Sequence, residues 1–248
     1  DGAMEIGTAD AFVNFANANF GYGKFIHSCT QEEILQVCCP EMNVGMLFYG
    51  LMDSDTVILT HNVRRFSTYS GYMRTFAFNG LCNLNDYKDQ TIITMDALFR
   101  EQYTDKGNLR DTKKPYMAWK ATLDWHRQSH DVQHDGEKQH KPIQISTGQW
   151  GCGMFGGIVA HKYLQQVIAA QLVNSGCADG NVQLFYSSFH DMALKKNLDK
   201  LQLSGVSPWD GFRGILLDRD RRTFMIRNID ELVANIEESR RISRHLNT

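Results

Sequence analysis

Short apolar runs alternate with segments of helical periodicity along most of the chain. Seven runs have the length and composition of buried or half-buried strands: 11–15, 56–59, 74–78, 90–95, 142–145, 182–186 and 223–227. Five segments carry apolar residues at three- and four-residue spacing and predict helices: 30–39, 41–52, 157–174, 191–201 and 230–246. This alternation predicts an α/β fold with three layers, α/β/α, around a mixed central sheet.

One apolar residue in each of five runs marks the predicted sheet. We expect these five residues on adjacent strands, with helices over both faces: Val13, Ile58, Ile93, Ile145 and Phe185. The length of 248 residues allows one large domain or two small ones. We find no internal repeat, and we predict a single domain over residues 1–248.

The segment 105–141 breaks the alternation, because it is polar and charged, with Trp119 and Trp125 as its large anchors. We interpret it as a long surface excursion that contains one helix near 117–126. His126, His130 and His134 would share one helix face at their spacing of four. The surrounding polar residues favour a solvated loop over a metal site, so we predict no bound metal.

The composition is typical of a globular protein, with 42% hydrophobic and 22% charged residues. A net charge of −2 predicts no strong attraction to nucleic acid or to a membrane surface, so an anionic ligand would need local donors. No apolar run reaches the length of a membrane span, and no signal peptide is visible. Six cysteines without a CxxC pair indicate reduced thiols, which predicts a cytoplasmic or nuclear protein.

The stretch 14–33 carries the first candidate chemistry. It contains the loop Gly21-Tyr22-Gly23 and then two adjacent carboxylates, Glu32 and Glu33. Glycines let backbone N–H groups approach a phosphate, and a nearby carboxylate can act as a general acid or base. The same residues also fit a purely structural role, since Thr30-x-x-Glu33 matches a helix capping box. The spacing alone favours the structural role.

A second glycine-rich segment joins a predicted strand to the strongest predicted helix. It reads Thr147-Gly148-Gln149-Trp150-Gly151-Cys152-Gly153-Met154-Phe155-Gly156-Gly157. Backbone amides and a helix N-terminus at such a position favour an anion. An ordinary glycine-rich turn is the alternative interpretation.

Three motifs together resemble the poly(ADP-ribose) glycohydrolase family. The first is Gly21-Tyr22-Gly23 followed, seven residues later, by Gln31-Glu32-Glu33. The second, Tyr69-Ser70-Gly71-Tyr72, is similar to the family's Tyr-Thr-Gly-Tyr segment, and the third is the loop 147–157. The resemblance implies a macrodomain-type fold and hydrolysis of the ribose–ribose O-glycosidic bonds of poly(ADP-ribose), which releases ADP-ribose. It implies no cofactor, and the expected partner is poly(ADP-ribose) or an ADP-ribosylated protein. Family members carry a helical segment before the first motif, which we expect to be missing or to lie outside this sequence.

The resemblance also implies roles for individual residues. Glu33 matches the family's catalytic acid/base, and Glu32 matches the neighbour that contacts the ribose hydroxyls. The residues implied in substrate binding are Asn14, Asn17, Gly21, Gly23, Gln31, Tyr72, Gln149, Gly151, Cys152, Gly153, Phe155, Gly156 and Phe189. Within this set Gly151, Cys152, Gly153, Phe155 and Gly156 match the diphosphate loop, and Phe189 stands where the family places an aromatic ring against adenine.

Four positions depart from the family pattern. Asn14 replaces an aspartate, Tyr22 a glycine, Lys24 a valine and Gln149 an asparagine. Asparagine cannot supply a negative charge near a developing cation. Three hypotheses therefore remain open: an active glycohydrolase, a module that binds ADP-ribose with little or no hydrolysis, and a structural or assembly protein with protein partners.

Overall fold

A computed structural model describes residues 5, 8–21, 27–83, 86, 89–131, 141–177, 181–203 and 234. The strands are β1 (Ala11–Ala16), β2 (Ile58–Val63), β3 (Ser67–Ser70), β4 (Ala77–Leu81), β5 (Gln90–Asp96), β6 (Ile143–Thr147) and β7 (Val182–Tyr186). The α-helices are α1 (Gln31–Cys38), α2 (Asp105–Asp131), α3 (Val159–Ser175) and α4 (Met192–Leu203). The predicted strand 223–227 and helix 230–246 lie outside the described residues, apart from position 234.

Five strands form one mixed sheet in the order β2-β5-β1-β6-β7. The strands β5, β1, β6 and β7 run parallel, and β2 pairs antiparallel with β5. The five residues expected to mark the sheet do lie on these five adjacent strands, which confirms that prediction. Parallel strands are covered on both faces, and every residue of β5 is accordingly buried.

Alternate residues of the central strands build two separate cores. Phe12 and Ile92 pack with Ile34 and Leu35 of α1 on one face of the sheet. Val13 and Ile93 point the other way and share a core with Trp119 of α2 and with α3. The predicted three-layer α/β/α fold is therefore confirmed.

The interpretation of 105–141 as a polar surface excursion is wrong for its first 27 residues, which form the helix α2. This helix packs along α3 and buries Trp119 completely. Asp111 and Lys114 are also buried, in ion pairs rather than in water. Hydrophobic periodicity therefore could not reveal a helix whose inner face is partly charged. The residues 132–140, with His134, lie outside the described part of the chain.

The predicted helix 41–52 is shorter than expected and is not an α-helix. The structure has a 3₁₀ helix over Pro40–Leu47. The apolar positions that the α-helical spacing assigned to the core are exposed: Val44, Leu47, Phe48 and Leu51. A 3₁₀ helix has three residues per turn, so a face defined by a period of 3.6 does not form.

A small hairpin stands apart from the main sheet. The strands β3 and β4 pair antiparallel and form a separate two-stranded sheet. The predicted strand 74–78 falls partly on a 3₁₀ turn, Met73–Thr75, and partly on β4. This turn brings Tyr72 close to the N-terminus of α1, where the amide of Met73 donates to the carbonyl of Cys29 at 2.9 Å.

Candidate active site

The strand order brings the sequence motifs to one edge of the sheet. The parallel strands β5, β1, β6 and β7 end there, since their carboxyl ends share an edge. The first motif follows β1, and the glycine-rich loop 148–157 follows β6. Phe189 lies just after β7. Residues far apart in sequence are thus placed side by side.

Two side chains of α1 bind directly to the end of β1. The Gln31 amide accepts a hydrogen bond from the Phe15 N–H at 2.7 Å and donates to the Val13 carbonyl at 3.1 Å. The Glu32 carboxyl accepts the Asn17 N–H at 2.9 Å. Gln31 therefore anchors the helix to the strand, which leaves the two carboxyl groups in fixed positions.

Glu32 is a buried acid with only 4% of its surface exposed. Burial raises the pKa of its carboxyl to about 8, with a smaller rise from neighbouring Glu33. The hydrogen bond from the Asn17 amide opposes this rise without cancelling it. Glu32 is accordingly protonated at neutral pH and can both donate and accept hydrogen bonds.

Glu33 is equally buried, at 5% exposure, and it completes the capping box. Its Oε2 accepts the Thr30 N–H at 2.8 Å and also contacts the Thr30 hydroxyl. The structural role considered for Glu33 is therefore present in the molecule. Because both bonds use the same carboxyl oxygen, the cap fixes the orientation of the carboxyl group and does not by itself exclude a catalytic role.

Asn14 lies on the same face of β1 as Phe12, which packs against α1. It is completely buried, and its amide nitrogen donates to the Thr94 hydroxyl at 3.2 Å. Its carbonyl oxygen accepts no hydrogen bond within the described residues. A buried amide thus occupies the position at which the family pattern has a carboxylate.

The glycine-rich loop contains positions that only glycine can fill. Gly151 has φ +72°, and a Cβ there would lie 2.7 Å from the Cβ of Ala97. Gly153 is different, because an added Cβ would meet no protein atom within 4 Å. Open space therefore lies in front of the loop at Gly153.

Several amides of this loop are available to a ligand. The N–H groups of Cys152 and Gly156 bond to carbonyls within the loop, at 3.0 and 3.1 Å. Those of Gly153, Met154 and Phe155 donate no hydrogen bond to any described residue. Consecutive unbonded amides are an arrangement that binds phosphate oxygens.

The loop rests on buried anchors. The Trp150 indole donates to the Met95 carbonyl at 3.1 Å, and Gln102 donates to the Phe155 carbonyl at 2.7 Å. Lys162 lies beneath the loop, with its Nζ 5.0 Å from the centre of the Trp150 ring. These contacts hold the backbone of the loop in place.

Lys162 belongs to a buried ionic network that joins α2, α3 and the end of β5. Asp111 pairs with Lys162 and with Arg110, the latter at 2.7 Å. Asp96 pairs with Arg110 and, at 2.8 Å, with Lys114. Hydrophobic periodicity does not predict this network, although the spacing of Asp111 and Lys114 by three residues is compatible with one helix face.

Two aromatic residues meet at the other end of the edge. The rings of Tyr72 and Phe189 are 5.9 Å apart in an edge-to-face arrangement. Phe189 is exposed with φ +52°, and the Gln149 amide supports its turn by donating to the Ser188 carbonyl at 3.0 Å. Burial raises the pKa of Tyr72, and a hydrogen bond with the backbone of Gln31 opposes that rise. Tyr72 therefore links Phe189 to the start of α1.

Other reactive groups near the loop are unsuited to nucleophilic catalysis. Burial raises the pKa of the Cys152 thiol to about 12, and burial lowers the pKa of His161 to about 3. A thiolate–imidazolium pair would need the opposite shifts.

Within the described ranges, no group of three or more metal-binding side chains occurs. A cavity of about 210 Å³ between α3 and β7 lies among Tyr163, Tyr186 and neighbouring residues and contains none of the motif residues.

Most implied site residues thus meet along one edge. Asn17, Gln31 and both carboxylates meet at the end of β1, and Gly21 packs close to the Met46 side chain. The side-chain amides of Gln31 and Gln149 form hydrogen bonds with the backbone, so we assign both residues a role in supporting the site. Gly23, Tyr22 and Lys24 lie outside the described residues. Their roles, like those of the other site residues, stay predictions.

The sheet order and the two loops at its carboxyl edge define a macrodomain-type α/β protein. The family model described as poly(ADP-ribose) glycohydrolase, macro domain fold, matches residues 1–196. The chain therefore belongs to the poly(ADP-ribose) glycohydrolase family. No helix in the described part of the chain is long and apolar enough to cross a membrane.

Curated relatives agree with this assignment. Poly(ADP-ribose) glycohydrolase 1 of Caenorhabditis elegans is 32% identical over 220 residues, which cover 79% of this chain and 26% of the relative. Probable poly(ADP-ribose) glycohydrolase 2 of Arabidopsis thaliana is 30% identical over 206 residues, 68% of this chain and 38% of the relative. The chain thus spans about a quarter to two fifths of these relatives' length. A solved poly(ADP-ribose) glycohydrolase of Deinococcus radiodurans in complex with ADP-ribose aligns with a TM-score of 0.43 at 16% identity, covering 78% of this chain and 77% of the other.

Proposed function

We propose that this chain hydrolyses the ribose–ribose O-glycosidic bonds of poly(ADP-ribose) and releases ADP-ribose. One observation carries the proposal: a pair of buried carboxyl groups, Glu32 and Glu33, shares an edge of the sheet with a loop of unbonded amides. The loop suits a diphosphate, and the carboxyl pair suits glycosidic chemistry. Membership of the family and the names of the relatives support the same reaction.

In this proposal Glu33 is the acid/base. Glycoside hydrolysis passes through an oxocarbenium-like state, in which the leaving oxygen must gain a proton and water must lose one. Glu33 would donate the proton to the leaving oxygen and then accept one from the attacking water. The Thr30 bonds to its Oε2 orient the carboxyl group for these transfers.

Glu32 would complement Glu33 by binding the ribose hydroxyls. Its protonated carboxyl, with a pKa near 8, can donate to one ribose hydroxyl and accept from another. A protonated Glu32 also places no negative charge beside Glu33 while Glu33 donates and then accepts a proton. The two adjacent acids would thus have different roles, because Glu33 transfers a proton and Glu32 keeps its own.

The remaining parts of the site would hold the terminal ADP-ribose unit. The unbonded amides of residues 153–155 would bind the diphosphate, since open space lies beside Gly153. The exposed ring of Phe189, backed by Tyr72, would stack on adenine. Asn17 would lie between these subsites, next to Glu32.

The decisive experiment compares release of ADP-ribose by the wild type and by Glu33→Gln. Gln also occurs at this position of a capping box, so the variant keeps much of the cap. Loss of the transferable proton should reduce turnover about 10²- to 10⁴-fold, with ADP-ribose affinity little changed. Undiminished release by Glu33→Gln would refute the catalytic role of Glu33.

Asn14 favours a second candidate function, the binding of ADP-ribose ends without rapid hydrolysis. The amide is buried and bonded to Thr94 where the family has an aspartate. Restoring the pattern in the double variant Tyr22→Gly/Asn14→Asp should then increase a weak activity. A wild type that binds ADP-ribose by calorimetry yet releases none, and whose double variant does release it, would establish an inactivated hydrolase. An unchanged rate in the double variant would remove these two positions as the cause.

We further propose that the partner is poly(ADP-ribose) or an ADP-ribosylated protein in the cytosol or nucleus. All six cysteines are free thiols, among them the adjacent Cys38 and Cys39, which supports a reducing compartment. Fractionation of cells and detection of the chain in the soluble cytosolic and nuclear extracts would test this placement.

A further inference from the structure

An exposed aromatic residue and a guanidinium group stand beside the glycine-rich loop. Phe99 lies three residues after the end of β5, and 60% of its surface is exposed. Its ring contacts Phe155 edge to face, with centroids 5.9 Å apart. The guanidinium carbon of Arg100 lies 5.9 Å from the centre of the Phe99 ring. None of the sequence motifs includes either residue.

The segment that carries Phe99 is fixed to the loop and not merely adjacent to it. The Gln102 amide donates to the Phe155 carbonyl at 2.7 Å. The Tyr103 hydroxyl accepts the N–H of Ile158 at 2.9 Å. Glu101, directly after Arg100, has φ +58°, a conformation that few non-glycine residues adopt. The exposed ring is therefore held in place by the backbone around it.

The position of Phe99 follows from the strand order. Along the carboxyl edge, β5 lies next to β1 on the side away from β6 and β7. If adenine lies at Phe189 and the diphosphate at the loop after β6, the distal ribose reaches the carboxyl pair after β1. The next unit of a poly(ADP-ribose) chain would then extend past β1 towards the end of β5. This step rests on the function proposed above.

The chemistry of Phe99 and Arg100 suits that next unit. Each unit offers an adenine, which stacks on aromatic rings, and phosphates, which pair with guanidinium groups. Arg100 forms no ion pair with any described residue, so its charge is available. The geometry points to a second subsite, in which Phe99 and Arg100 bind the adenosine and a phosphate of the unit on the leaving-group side.

Comparing the binding of an ADP-ribose oligomer with the binding of single ADP-ribose distinguishes the second subsite from the terminal site. The ligands are ADP-ribose and a purified oligomer of four ADP-ribose units, and Glu33→Gln serves as the parent so that the oligomer survives. Phe99→Ala should weaken oligomer binding about 5- to 50-fold, as expected for the loss of one stacked base. Its affinity for ADP-ribose should equal that of the parent. Phe99→Leu, which keeps apolar packing on Phe155, should weaken the oligomer in the same direction.

Arg100 and a matched phenylalanine provide the controls. Arg100→Gln should weaken oligomer binding and make it less sensitive to salt, whereas Arg100→Lys should retain part of the affinity. Phe78 on β4 is also 60% exposed but lies on the separate hairpin, so Phe78→Ala should change neither affinity.

The outcomes distinguish the two proposals. In one outcome, the wild type and Glu33→Gln bind ADP-ribose, and Phe99→Ala in the Glu33→Gln background binds the oligomer as tightly as Glu33→Gln alone. The second subsite is then refuted, and the proposed function stands. If Phe99→Ala weakens ADP-ribose and the oligomer equally, the residue supports the terminal site, and the second subsite is again refuted. If the wild type binds neither ligand, the proposed function fails and the subsite fails with it.

Discussion

Replacement of Glu32 by glutamine should stabilise the fold, and the gain should grow with pH. The folded protein holds the Glu32 proton more tightly than the unfolded chain, because burial raises its pKa from 4.5 to about 8. Raising the pH therefore destabilises the native state, starting near pH 4.5 and ending near pH 8. Glutamine has no proton to lose and can still accept the Asn17 N–H.

The magnitude follows from the size of the shift. Each pKa unit corresponds to about 1.4 kcal/mol, so the full shift costs about 5 kcal/mol once Glu32 is ionised in both states. Linkage gives a cost of about 1 kcal/mol at pH 5, about 3 at pH 7 and about 5 at pH 9. The free energy of unfolding of Glu32→Gln, relative to wild type, should therefore rise by about 4 kcal/mol between pH 5 and pH 9.

Urea unfolding at pH 5, 7 and 9 measures this difference directly. Any constant effect of the amide on packing or hydrogen bonding cancels when the three pH values are compared. Glu101→Gln, which removes an exposed carboxylate, gives the background effect of losing one acidic group at each pH. A gain in the stability of Glu32→Gln that is the same at all three pH values would show that Glu32 does not titrate with a raised pKa.

Two further changes test the loop and its support. Gly153→Leu should abolish ADP-ribose binding in calorimetry while leaving the unfolding curve nearly unchanged, because a Cβ there meets no protein atom within 4 Å. Retained affinity in the folded variant would make the loop an ordinary turn. Lys162→Met should lower the free energy of unfolding by about 3–5 kcal/mol, since it leaves Asp111 buried without this partner. The double variant Lys162→Met/Asp111→Asn should recover at least half of that loss in urea unfolding, and no recovery would argue against direct coupling of the pair.

The sequence predicts the fold wherever burial follows hydrophobicity. The strands β1 and β5 are continuous apolar runs because both of their faces are covered. The helix α1 begins with a capping box that is legible in the sequence as Thr30 and Glu33. Hydrophobic periodicity does not predict α2, because Asp111 and Lys114 are buried through ion pairs that only the tertiary structure supplies.

The candidate site was predictable to a similar extent. Its motifs identify Glu32, Glu33 and the loop 148–157, since local spacing and glycine content are visible in sequence. The sequence does not show that the two carboxyl groups have different hydrogen-bond partners. Glu32 accepts a hydrogen bond from Asn17, the residue after β1, whereas Glu33 accepts one from Thr30 at the start of its own helix. Phe99 contacts Phe155 of the loop because β5 and β6 end at the same edge of the sheet, which no local pattern encodes.

The capping role of Glu33 and its proposed catalytic role are compatible for a physical reason. A general acid must be held in one orientation, and a carboxyl group free to rotate at a buried helix start would have to be ordered during the reaction. The Thr30 bonds provide that order, and both use Oε2. Glu32, held by Asn17 and neutral at pH 7, adds no competing charge. The interactions that start α1 thus also arrange the two acids, so a substitution that weakens the cap should reduce turnover even when the carboxyl group of Glu33 is retained.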